Sequence, residues 1–97
     1  MISIPTLTVH TRPSCAACRL TIRRLEREAV TYRSVDAAGH LDHLRALGIS
    51  QAPGVTLTRP DGVVLDAWGG WRPDRLDAAI AVIRDCMAAQ YLEDNPT

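Results

Sequence analysis

The chain has 97 residues, with 46% hydrophobic and 23% charged, which suits one globular domain built on a single core. Its 11 basic residues, all arginine, balance 11 acidic ones, removing any overall electrostatic basis for binding nucleic acid or an anionic membrane. Three cysteines are too few for a disulfide-stapled scaffold, no apolar run reaches membrane-spanning length, and the first residues show no leader pattern, so a cytoplasmic, reducing setting is expected.

Thr6 to Thr11 alternates strong β-formers and reads as a first strand. Pro13 ends it, and Ser14 is expected to cap a helix from Cys15 to about Ala29, with Cys18, Ile22, Leu25 and Ala29 on its apolar face. Arg19, Arg23 and Arg27 form a basic stripe on the other side, read as a solvated face, and Arg24 and Glu28 are spaced as an ion pair. Val30 to Asp36 reads as a second strand, parallel to the first because a helix connects them, with Asp36 as the cap of the next element. Leu41, Leu44 and Leu47 mark a short second helix stopped at Gly48. Val55 to Thr58 and Val63 to Trp68 read as antiparallel strands joined by the turn Arg59-Pro60-Asp61-Gly62. Pro73 opens a last helix with Leu76, Ile80, Ile83 and Met87 on one face, continuing to about Tyr91, and Glu93 to Thr97 reads as frayed. One domain over residues 1–97, with its core in about 6–91, is expected.

Chemistry is concentrated at Cys15 and Cys18, three residues apart at the first strand-to-helix junction. The first cysteine falls at or near a helix N-terminus, where unpaired N–H groups and the helix dipole favour a thiolate. The second lies one turn on, close enough to attack a mixed disulfide on the first, which is the layout of a dithiol–disulfide exchange site. The same pair is half of a zinc site, but no matching half accompanies it: Cys86 is alone, and His10, His40 and His43 are scattered. His40 and His43, sharing a helix face, read as solvent-facing polar residues, and Cys86 as a buried small hydrophobe.

The order β-α-β-α-β-β-α, with CxxC after the first strand and Pro53 just before the third, resembles the thioredoxin fold, and in its small size the glutaredoxins, from about Leu7 to Ile83. The resemblance implies an α/β fold: a four-stranded mixed sheet flanked by three helices. It also implies that Pro53 is cis and faces the CxxC, with the backbone of Ala52 and Gly54 pairing with an extended substrate segment. A β-branched or apolar residue is commoner in the family at Gly54, and a glycine there is expected to loosen the strand start or admit a partner more closely.

Trp68-Gly69-Gly70-Trp71-Arg72-Pro73-Asp74 resembles the W-S-G-F-R-P-D signature of the NrdH-redoxins, which are glutaredoxin-like. Gly69 stands for the serine and Trp71 for the phenylalanine. Leu47-Gly48 with Gln51-Ala52-Pro53 is similar to the L-G-x-x-Q-A-P segment of the same family. This resemblance implies an electron donor to class Ib ribonucleotide reductase, recycled by thioredoxin reductase, with no cofactor beyond a Cys15–Cys18 disulfide; a monomer is expected. Cys15 would attack and Cys18 resolve, with Arg12 assisting Cys15 if its side chain turns inward. Trp68 and Trp71 would form an apolar surface for protein partners, joined by Gly70, Arg72 and Asp74, the last two equally suited to pair with each other.

The chain departs from the family pattern at Ala16 and Ala17, and at His10, where a tyrosine is frequent. Gly69-Gly70 followed by Asp74 is also similar to the G-G-x-D-D glutathione-binding segment of glutaredoxins, one residue longer. A glutaredoxin or mycoredoxin acting on low-molecular-weight-thiol mixed disulfides is therefore a second reading. A zinc or chain-bridging iron–sulfur module, and a degenerate adaptor, belong to other classes.

Overall fold

Thr6–Thr11 forms strand β1, and its alternation sends Leu7 and Val9 to one face of the sheet and Thr8 and His10 to the other. The computed structural model describes residues 4–94. Helix α1 is Ala16–Arg27, shorter than expected, because Ala29 adopts a left-handed conformation with φ 56°. The Val30 N–H then reaches back to the Leu25 carbonyl at 3.0 Å, closing the helix end. Ala29 is therefore an exposed turn residue and not part of the apolar face.

Strand β2 is Arg33–Asp36. The Asp36 carboxylate accepts the Ala38 N–H at 2.9 Å and starts a 3-10 turn, Ala37–His40, that runs into helix α2, Leu41–Ala46, ended by Gly48 at φ 74°. Strands β3, Gly54–Thr58, and β4, Val64–Gly69, follow, then helix α3, Pro73–Asp94. Glu93 and Asp94, expected to fray, are helical; residues 95–97 of that segment lie outside the described residues.

The four strands order as β2-β1-β3-β4, with β1 and β2 parallel and the other pairs antiparallel. Register places His10 opposite Gly54 and Gly54 opposite Gly69. The end of β1, the start of β3 and the end of β4 therefore meet at one edge, and all three family-like segments sit there.

Helices α1 and α3 cover one sheet face, where Leu25, Leu76, Ile80 and Ile83 pack on Leu7, Val9, Val55, Leu57 and Trp68. Arg24 holds the two helices together, donating to Glu28 at 2.9 Å and to Asp77 at 2.5 Å. Arg84 donates to the Glu28 carboxylate at 3.1 Å, and hydrogen bonds from Arg24 and Arg84 hold that carboxyl below its ordinary pKa. Met87 and Tyr91, expected on the buried face, are exposed. A helix of 22 residues spans about 33 Å whereas the 6-residue β4 spans about 20 Å, so α3 outruns the sheet. Cys86, expected to be buried, is half-buried for the same reason. On the opposite sheet face Leu44 of the short α2, Ala37 of the 3-10 turn and Ile49 after the helix form a smaller cluster.

Candidate active site

Pro13 cannot continue β1, and the chain turns through Ser14 at φ 54°, so the residue that enters the helix is Cys15. Ser14 is not the cap that its side chain suggested. Cys15 is the cap: its Sγ accepts the Cys18 N–H at 3.1 Å. The cap position thus points a helix N–H, and the positive end of the α1 dipole, at the sulfur. Cys15 and Cys18 form a disulfide with Cα atoms 5.2 Å apart. Cys15 is half-buried, and Cys18 is 3% exposed against the core side of α1.

The Ala52–Pro53 peptide bond is cis, and Pro53 is buried. The Pro53 carbonyl accepts the Gly70 N–H at 2.9 Å, joining the proline loop to the Trp-Gly-Gly-Trp segment. The two segments are fitted to each other through Gln51. A Cβ on Gly69 would lie 2.9 Å from the Gln51 carbonyl oxygen, and one on Gly70 would lie 2.8 Å from its side-chain oxygen. Gly70 also has φ 84°, a conformation that side chains resist. Gln51 is the residue that sequence reasoning passed over as a site element, although it sits inside the Gln-Ala-Pro segment.

Gly54 is not an opening for a partner. A Cβ there would lie 2.7 Å from Leu44 Cδ2, so the glycine lets α2 of the same chain pack on β3. Trp68 is likewise not part of an exposed apolar surface; it is 4% exposed in the main core, its ring under the Arg75 guanidinium at 6.0 Å, and its Nε1 lacks a hydrogen-bond partner among the described residues. Its place in β4 opposite Val55 decides this, since that register position faces α1 and α3. Trp71 is 37% exposed.

Arg72 and Asp74 form a two-pronged ion pair, with contacts of 3.1 and 2.8 Å, and the Asp74 carboxyl is pushed down to about 2 by the Arg72 hydrogen bond. Arg12 is exposed and makes no ion pair among the described residues; it lines a cleft of 310 Å³ with Arg45, Leu44, Ile49, Ala52 and Gly54. The three histidines, scattered in sequence, converge: His40 and His43 lie 5.3 and 6.2 Å from His10, ring centre to ring centre. Among the described residues no group of three His, Cys, Asp or Glu side chains is placed to hold a metal ion. No helix among them is long and apolar enough to cross a membrane.

No protein-family model and no curated protein sequence matches the chain. Solved structures do. NrdH-redoxin from Escherichia coli, described as a glutaredoxin-like protein with a thioredoxin-like activity profile, is similar at 26% identity and TM-score 0.64 over 75% of this chain and 92% of that one. Thioredoxin f2 from Chlamydomonas reinhardtii shares the fold at 23% identity and TM-score 0.60, over 80% of this chain and 77% of its own. With its CxxC disulfide at the head of α1, the chain is a glutaredoxin-like protein of the thioredoxin fold, a dithiol–disulfide oxidoreductase.

Proposed function

We propose that the protein is an electron donor of the NrdH-redoxin kind, reducing protein disulfides such as those of class Ib ribonucleotide reductase and itself reduced by thioredoxin reductase. The observation that carries the reading is Cys15 at the cap of α1, its sulfur receiving the Cys18 N–H, at the sheet edge that also presents cis-Pro53. In the reduced protein that N–H and the helix dipole favour the Cys15 thiolate, lowering its pKa from the reference of about 8.5. The thiolate attacks one sulfur of the partner disulfide, and the other sulfur leaves as a thiolate that takes up a proton. Cys18, deprotonated in turn, attacks Cys15 Sγ, releases the partner as a dithiol, and leaves the Cys15–Cys18 disulfide. Two electrons have then passed to the partner, and reductase with NADPH restores them. The exposed Trp71 and the backbone of Ala52 offer the partner an apolar contact and a strand-like hydrogen bond. No metal or organic cofactor enters this scheme.

The cleft bearing Arg12 and Arg45 favours a second reading, in which a small carboxylate-bearing thiol such as glutathione lies beside the proline loop. NADPH oxidation coupled through the protein to a model disulfide separates the two. Turnover with thioredoxin reductase alone, abolished by Cys15→Ser, is the expected result. Turnover only with a low-molecular-weight thiol and its reductase would replace the first reading by the second.

A further inference from the structure

The second sheet face is only half covered. Helix α2, 6 residues long, packs over Gly54 and Ala67 and leaves the rest of the face as an open trough of 380 Å³. Five of its lining residues carry ring or guanidinium nitrogens: His10, Arg33, His40, His43 and Arg59. Hydroxyls come from Thr6 and Thr8 on β1 and from Thr56 and Thr58 on β3, and no carboxylate lines the trough among the described residues.

The charge there is unbalanced. Arg59 is held by Asp61 at 2.6 Å, but among the described residues Arg33, His40 and His43 make no ion pair. His10 is 3% exposed, and because a carbonyl only accepts, its Nδ1 donates to Gly54 O at 2.8 Å, so Nε2 of the neutral ring carries a lone pair and the donors of the trough are the arginines, His40, His43 and the threonine hydroxyls. Burial lowers the His10 pKa most; the bond to Gly54 opposes this, and His40, His43 and Arg33 add to the lowering. A cation would meet repulsion here. An anion would supply the missing charge and the missing acceptors.

We infer that this trough binds a small phosphate-bearing anion, a phosphate ester or pyrophosphate. The donors stand on three strands and on the segment that carries His40 and His43, so they reach the space from more than one element. A carboxylate, with two oxygens in one plane, can meet one side of such a set of donors; a tetrahedral phosphate presents acceptors to several. The volume lies toward the small end of ligand cavities, roughly 300–1,000 Å³. The assignment does not depend on the redox reading, since none of these residues belongs to the CxxC or to the cis-proline loop.

The test is calorimetric titration of the oxidised full chain with inorganic pyrophosphate in a phosphate-free buffer, with sodium chloride at matched ionic strength as the control. A single saturable site is expected. Arg33→Ala should weaken it about tenfold, the loss of one charge-assisted contact. The double change His40→Gln and His43→Gln should weaken it as well, and both variants should keep full disulfide-exchange activity. All three residues are exposed, so folding is not at stake. Absence of saturable binding, abolition by chloride at equal ionic strength, or unchanged affinity in Arg33→Ala would overturn the assignment. Zinc titrating the same site in preference to pyrophosphate would overturn it too.

Discussion

Gly69→Ala measures how tightly the proline loop is fitted to the end of β4. Glycine 69 has no left-handed backbone requirement, so alanine should gain about 0.4–1 kcal/mol from a less flexible unfolded chain. Against that gain, the new Cβ would lie 2.9 Å from the Gln51 carbonyl oxygen, 3.1 Å from Ile49 Cγ2 and 3.3 Å from the Gln51 nitrogen. Two of these three atoms are backbone, and the Gln51 segment cannot rotate aside as a side-chain tip can. Overpacking of this kind costs about 1–3 kcal/mol; set at mid-range against the gain, it leaves a net loss of about 1.3 kcal/mol. In a domain of this size that lowers the melting temperature by roughly 4–8 °C per kcal/mol. Gly69→Ser, which restores the serine of the NrdH-redoxin signature, should behave the same way. Gly54→Ala is the contrast: its Cβ meets Leu44 Cδ2, the end of a flexible side chain, so Leu44→Ala in the same molecule should relieve the clash. Urea unfolding of the oxidised proteins gives the free energies. A Gly69→Ala protein as stable as the parent would refute the fitted-loop account.

Other variants probe the site and its surroundings. Cys18→Ser should trap a mixed disulfide on Cys15 that mass spectrometry detects, and Cys15→Ala should form none; trapping through Cys18 would reverse the assigned roles. Cys15→Ala in the reduced protein also removes the α1 cap and should cost about 1 kcal/mol in urea unfolding, with no loss expected if the Sγ contact to Cys18 N is immaterial. His10 has a lowered pKa in the fold, so the unfolded chain binds the extra proton: stability is full above the unfolded value of about 6.5 and declines as pH falls through it. His10→Asn should flatten unfolding midpoints over that window, and an unchanged slope would count against a buried, neutral His10. For Asp74, depressed to about 2, the sign is that of a carboxylate: its contribution is present above the unfolded pKa and lost only as pH falls toward about 2. Stability curves of Asp74→Asn and parent should therefore run parallel through neutral and mildly acidic pH and converge only in strong acid.

Strands, helices and the redox pair were legible because they rest on local chemistry. Alternation in Thr6–Thr11 placed β1, the stop at Gly48 placed the end of α2, and the spacing of Cys15 and Cys18 placed a dithiol at a helix start. The helix cap was not legible, for a physical reason. Serine is the better cap by preference, but Pro13 and the left-handed turn at Ser14 deliver the next residue to the cap position. The ends of the apolar stripes were not legible either, since periodicity reports which side of a helix is apolar and not how far the sheet beneath it extends.

The sequence by itself determined the order of elements, the exchange chemistry and the two companion segments at Gln51-Ala52-Pro53 and Trp68 to Asp74. Only the tertiary structure decided what those companions touch. Trp68 is core because its register in β4 points it at α1 and α3, whereas Trp71, beyond the last paired residue, stays at the surface. Gly54 and Gly69 are small because Leu44 and Gln51 arrive from other parts of the chain. The three histidines form a cluster because the turn after β2 folds back over the polar face of β1. Distances between segments far apart in sequence carry no local signature, since they follow from strand order and helix length, which packing sets after the local preferences have been met.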